Sequence, residues 1–183
     1  MSEPNRLHLG CGKAYLPGFL NVDLFSNIKA DAYHDVTNLP YPKESFDEIY
    51  CCHLLEHVHR HAVLATRNHW KSLLKPGGLL RLAVPNFEAI CDHYMEHRKL
   101  EPLLGLLYAG QDNFLNRHTV TFDRPYLTKM LLSAGFDDIG MWDWRQTEQK
   151  DHDDFASCFL PHMEKDNPRA RLMSLNMSAR RPS

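Results

Sequence analysis

The 183-residue chain contains no apolar run near the ~18 residues that a membrane span requires. Its first residues, MSEPNRLHLG, lack the long apolar segment of a secretion signal. Cysteine is sparse and odd in number, comprising Cys11, Cys51, Cys52, Cys91 and Cys158. That set argues against a disulfide framework and for a reducing compartment, so a cytoplasmic protein without membrane association is expected. An excess of positive charge is also missing, because the formal net charge is −2. Without a basic face there is no electrostatic footprint for nonspecific nucleic-acid binding, and no nucleic-acid partner is expected. The arginines at 169, 171, 180 and 181 read as a solvated edge. Repeats and low-complexity tracts are absent. Length and composition suit one soluble domain spanning 1–183 with a sizeable core.

Within that frame, short apolar runs alternate with helical patterns. Strands are predicted over 6–10, 19–23, 31–36, 46–52, 79–84, 136–144 and 171–179. A helix is predicted over 55–74, where Leu55, Val58, Ala62, Ala65, His69 and Leu73 step by three or four. The turn Lys75-Pro76-Gly77-Gly78 stops it. Residues 87–109 look helical but irregular. A helix over 123–135 has Asp123 as cap, Pro125 in its first turn and Gly135 at its end. Residues 145–170 are polar and acidic and read as a long loop, a candidate substrate loop or lid. Its acids and histidines, Asp151, His152, Asp153, Asp154 and His162, could instead be merely solvated. Strands alternating with helices imply an α/β domain on a parallel sheet, with ligands at the carboxyl ends of the strands. Those ends are Gly10-Cys11-Gly12, Asp23, Asp35, Cys52-His53 and Pro85-Asn86.

Gly10 and Gly12 leave room for a ligand to approach the backbone, and Asp23 could hold two ribose hydroxyls through its two oxygens. A dinucleotide fingerprint would place a third glycine at 15, where Tyr15 stands, and no Gly-Lys-Ser/Thr follows. The turn therefore suits a nucleoside without phosphates. The succession LHLGCG, NVD, LPYPKESFDEIYCCHLLEHV and LLKPGGLLRLAVPN resembles the class I S-adenosylmethionine-dependent methyltransferases. The later HTVTFDRPYLTKMLLSAGF is similar to a helix-and-strand segment of the same enzymes. The resemblance runs from about 6 to 144 and is densest over 39–84.

It implies a Rossmann-like, mostly parallel seven-stranded sheet with an antiparallel last strand, and S-adenosyl-L-methionine as cofactor. By position it implies that Leu9, Gly10, Cys11 and Gly12 lie under the cofactor and that Asp23 takes the ribose hydroxyls. Asp35 and Val36 would meet the adenine, while Cys52 and His53 would wall the site. The chain departs from the family at His8, where an acid is common. Only ten residues separate Gly12 from Asp23, less than a full crossover needs. Shortened first crossover helices are expected, leaving that half open or covered by a partner, such as a second copy in a homodimer.

Methyl transfer from a sulfonium is an in-line displacement that needs positioning and exclusion of water, with no metal required in principle. An amine or hydroxyl acceptor benefits from a histidine base. His57 and His118 are the candidates for catalysis, with His53 nearby. His53-Leu54-Leu55-Glu56-His57 also spells the H-x-x-E-H of some zinc peptidases, but that reading needs both histidines on one helix, and no metal site is expected. Asn86 lacks the Asn-Pro-Pro-Tyr setting of DNA and protein N-methylating relatives, as does Cys52-His53, which argues against nucleic-acid amino groups as acceptor. The expected acceptor is a small polar metabolite or sugar, methylated on O or N. The alternative is a non-catalytic relative that binds a nucleoside or a partner. Ser174-Leu175-Asn176 interrupts an apolar strand and has no role assignable from sequence.

Overall fold

A computed structural model describes residues 5–152, 154–160 and 170–183. Nine strands are described: β1 (Arg6–Leu9), β2 (Leu20–Asp23), β3 (Ala32–Tyr33), β4 (Phe46–Cys52), β5 (Leu74–Pro85), β6 (Asp137–Met141), β7 (Phe159–Leu160), β8 (Arg171–Leu172) and β9 (Ser174–Arg180). Seven of them form one sheet in the order β3-β2-β1-β4-β5-β9-β6. β9 runs antiparallel to β5 and β6, while β3, β2, β1, β4 and β5 pair in parallel. The expected α/β sheet with an antiparallel last strand is what the chain forms. β7 and β8 make a separate two-stranded ribbon. The strand predicted over 171–179 is thus divided at Met173 between two sheets.

Period-two alternation gives the sheet two different faces. Leu7 and Leu9, Ile49 and Cys51, Leu80, Leu82 and Val84, and Leu175, Met177 and Ala179 point to one side. There they bury Trp70 and Leu73 of helix α1 (Val63–Leu73) and Leu127 and Leu131 of α4 (Arg124–Ser133). Helices α2 (Phe87–His97) and α3 (Leu104–Tyr108) lie between α1 and α4 in sequence. Asn86 caps α2 by accepting from the Ala89 N–H, and the expected ends of α4 are in place: Asp123 accepts from the Tyr126 N–H and Gly135 turns at φ +74°.

The opposite face carries His8, Tyr50, Cys52, Ala83 and Asn176. No helix lies in the β1–β2 or β2–β3 links, so this face lacks the usual cover. The chain supplies its own. Leu16 and Phe19 from the first link pack there, joined by Trp142, Trp144 and Ala156. The crossovers are short, as predicted, and residues of the chain itself pack over this face. The described part of the 145–170 segment is also more ordered than a loop, with 3₁₀ turns at Trp144–Gln146 and Phe155–Ser157. Asp153 and the residues from Pro161 to Arg169, including His162, lie outside the described residues.

The helix predicted over 55–74 begins eight residues late. Leu55–His57 is a single 3₁₀ turn, and α1 starts only at Val63. The cause is Thr119. Its N–H donates to the Glu56 carbonyl at 2.8 Å, and its hydroxyl donates to that of Val58 at 2.7 Å. Those carbonyls are then bound from outside the segment, and an α-helix would need them for its own ladder. Two of the C-terminal arginines make contacts at this edge, while Arg169 lies outside the described residues. Arg180 donates to the Gly77 carbonyl and Arg181 pairs with Glu44, pinning residues 75–78, which form the start of β5 and not the predicted turn.

Candidate active site

The carboxyl edge of the sheet gathers most of the residues that the sequence singles out. Gly10 and Gly12 adopt φ of +63° and +51°, a region that glycine enters without steric penalty. The Gly10 and Cys11 N–H groups both donate to the Val22 carbonyl, which ties the turn to β2. A Cβ on Gly10 would meet the Leu54 δ carbons at 2.8 Å, whereas one on Gly12 would meet nothing within 4 Å. One glycine is packed from below and the other faces open space, a cradle that a ligand can enter.

Asp23 ends β2 at 6% exposure. Its Oδ2 accepts the Gly12 N–H at 2.9 Å and its Oδ1 accepts the Phe25 N–H at 3.0 Å. Each oxygen keeps a lone pair, so the carboxylate is oriented and still able to take two hydroxyls. The His34 N–H donates to the Asp23 carbonyl, which sets Asp35 just beyond. Asp35 is exposed and accepts from the N–H and hydroxyl of Thr37. Val36 is half-buried, and its carbonyl takes the Trp70 indole N–H at 2.8 Å.

Several predicted site residues have buried side chains. Leu9 is fully buried on the α1 side. Cys11 is 2% exposed with Sγ toward the Lys29 carbonyl, and burial pushes its thiol up to about 11. Cys52 packs with Tyr50, Ala83 and Ala156 under the cover, and burial raises its thiol far above the ordinary range. His8 also lies under the cover, 1% exposed, with Nδ1 3.0 Å from Asn21 Oδ1. Desolvation holds its pKa below the usual histidine value, against the weaker pull of Asp154 and Asp23.

His53 is different. It follows β4 at φ +48°, unusual for a residue with a side chain. That turn sends Leu54 against Gly10 and brings His53, Glu56 and His57 together. His53 Nδ1 is 3.4 Å from Glu56 Oε1, and His118 Nε2 is 3.9 Å from the same oxygen. The rings of His57 and His118 meet edge to face at 4.8 Å between centroids. His118 Nδ1 lies 2.9 Å from the Leu106 carbonyl, and burial holds the pKa of this ring below the ordinary value. The two histidines proposed for catalysis are thus neighbours, though 61 positions apart in the chain. His57 lies on the 3₁₀ turn and not on the helix predicted for it.

Glu56, Thr119, Ser174 and Asn176 join this cluster without having been singled out for it by the sequence. Ser174 and Asn176 are two apart on β9 and so share a face, the one signal that could have flagged them. Asn176 Nδ2 donates to the Ala156 carbonyl at 2.8 Å, Ser174 Oγ lies 2.7 Å from Asn176 Oδ1, and His53 Nε2 lies 3.0 Å from Ser174 Oγ. An open depression elsewhere is lined by Arg124, Pro125, Thr128, Lys129, Leu132 and Ser133, all from α4 and none from this edge.

Residues 2–140 match a family described as a methyltransferase domain. The chain belongs to that family. This methyltransferase also resembles solved structures at the level of fold. One is a chain of the Haloferax volcanii complex of the Trm112 methyltransferase activator, at TM-score 0.59 and 15% identity, covering 97% of this chain and 82% of that one. Another is the S-adenosylmethionine dependent methyltransferase of Mesorhizobium loti, at 0.56 and 17%, covering 97% and 90%. A third is the 1,6-didemethyltoxoflavin-N1-methyltransferase of Burkholderia thailandensis, solved with S-adenosylhomocysteine, at 0.56 and 19%, covering 97% and 71%. No curated protein matches the sequence. The methyltransferase takes S-adenosylmethionine as cofactor, and among its described residues no helix is long and apolar enough to cross a membrane.

Proposed function

We propose that this methyltransferase acts on a small polar metabolite or sugar, at an oxygen or nitrogen. The supporting observation is the single turn from His53 to His57. It seals Gly10 with Leu54 on one side and offers His57, with His118, on the other. A net charge of −2 lacks the basic excess on which nonspecific nucleic-acid binding rests. When bound, S-adenosylmethionine supplies a sulfonium-activated methyl and leaves as S-adenosylhomocysteine.

The chain's own residues do the rest. Asp23, fixed by two backbone N–H groups, holds the ribose hydroxyls. Gly10, Cys11 and Gly12 admit the cofactor against the backbone, with Asp35 and Val36 toward the adenine. The cluster of His57, His118 and Glu56 receives the acceptor's polar head and promotes the loss of its proton as the new bond to carbon forms. His53 orients the cluster through Ser174.

The test has two arms. Calorimetry with S-adenosylmethionine and S-adenosylhomocysteine should show 1:1 binding, and Asp23→Ala should weaken both. Transfer of a labelled methyl is then followed across panels of polyols, sugars, small amines, RNA and DNA. Turnover on the small-molecule panels alone supports the proposal, and turnover confined to nucleic acid overturns it.

A further inference from the structure

Glu56 is a buried carboxylate at the centre of this cluster. Its side chain is 1% exposed, and neither carboxylate oxygen has a hydrogen-bond partner. A buried, unpaired carboxylate costs several kcal/mol, so something must compensate it. The surrounding hydrogen bonds show that the neighbours do not do so as neutral rings. Asn176 Nδ2 donates to Ala156, so Asn176 Oδ1 is the acceptor facing Ser174. The Ser174 hydroxyl donates to it, and His53 Nε2 must then donate to Ser174 Oγ. In a neutral ring that leaves the Nδ1 lone pair of His53 facing Glu56 Oε1 at 3.4 Å. The same holds for His118. Its Nδ1 donates to the Leu106 carbonyl, which turns the Nε2 lone pair toward Glu56 Oε1 at 3.9 Å. Two nitrogen lone pairs and a carboxylate converge on one spot, an arrangement that a cation placed between them would satisfy.

We propose that Glu56, His57 and His118 bind a divalent first-row transition cation, with His53 at the edge of the site. Among the described residues these three offer donor atoms within 4.8 Å of one another. Metal–ligand bonds of about 2.0–2.2 Å need donors within roughly 4 Å, so side-chain shifts of about 1 Å close the site. Two imidazoles and one carboxylate suit zinc, manganese, iron or cobalt better than calcium or magnesium. The His118 Nδ1–H to carbonyl bond is the type of outer contact that fixes a ligating imidazole. Three protein ligands leave coordination positions for an acceptor. The role of the ion rests on the methyl-transfer reading. A cation-held hydroxyl gives its proton to solvent more readily, and the resulting oxygen attacks the methyl carbon as the carbon–sulfur bond breaks. The acceptor atom is then oxygen.

The experiment uses untagged, chelator-treated full chain without cofactor. Manganese binding is read by loss of the free-ion EPR signal, and zinc binding by calorimetry. The expected result is one ion per chain, with Glu56→Gln and His118→Ala each weakening binding at least about tenfold. The double variant His59→Ala/His61→Ala removes an exposed histidine pair and should leave binding unchanged. If Glu56→Gln or His118→Ala fails to fold, His57→Ala, at a half-buried position, gives the same reading. No binding to wild type overturns the assignment, as does binding that survives the cluster variants or is lost in the surface pair. Cation binding without S-adenosylmethionine binding would leave the assignment standing and sink the methyl-transfer reading.

Discussion

At the scale of single residues, the two glycines of the first turn separate packing from ligand contact. Alanine at either position accepts a left-handed backbone at a cost of about 1–2 kcal/mol, or roughly 2–8 °C in Tm for a chain of this size. At Gly10 the added methyl also collides with Leu54, so Gly10→Ala should be the less stable variant in thermal denaturation. At Gly12 the methyl meets no protein atom. We therefore expect Gly12→Ala to lose only the strain term in stability but at least about tenfold in S-adenosylmethionine affinity, a loss of some 1.4 kcal/mol by calorimetry. An unchanged affinity would mean that Gly12 does not face the cofactor. Asp23→Asn is a sharper probe than alanine. Its amide can accept only one of the two backbone N–H groups and turns a donor toward the other. It should weaken cofactor binding and lower Tm together, whereas Asp35→Asn, exposed beside Thr37, should leave Tm unchanged.

At the scale of elements, the deciding contacts are long-range. The periodicity of 55–74 is helical, and nothing local in Leu55–Val58 forbids a helix. Thr119 does so by taking two carbonyls from more than 60 positions away, beyond any local pattern. The strands, the glycine turn and the Asp123 cap were legible because each is a property of a few adjacent residues. Glu56 and His118 were not legible as a pair, because only the fold joins them. The cover was hidden for the same reason. Its anchor is Tyr50, whose hydroxyl donates to Asp154 Oδ2 at 2.6 Å while Asp154 Oδ1 caps the 3₁₀ turn at Ala156. Tyr50→Phe removes a hydrogen bond to a charged group, worth roughly 1.5–3 kcal/mol. We expect hydrogen exchange to quicken across 142–157 in this variant while α1 keeps its protection. Equal quickening of both would show the cover and the sheet to be one cooperative unit.

At the scale of the whole molecule, replacing the first crossover helices with an internal cover has an electrostatic consequence. The face that helices would have shielded now carries a buried histidine on β1, where desolvation lowers the His8 pKa and outweighs Asp154 and Asp23. His93 is shifted the same way, again chiefly by burial. In the unfolded chain both titrate near the ordinary value of about 6.5. Between that value and their lower folded values, the unfolded state binds more protons than the folded state. Stability then rises with pH across this window. It is fully present above about 6.5 and drains away as the pH falls through the folded pKa values. Thermal denaturation at pH 7.5 and pH 5 should therefore show a lower Tm in acid. His8→Gln keeps a donor for Asn21 and cannot titrate, so its Tm should fall less over the same interval. A wild-type Tm that holds or rises toward pH 5, or a variant with the same slope, would mean that His8 is not sealed beneath the 142–157 segment, and that this half of the sheet is open in solution.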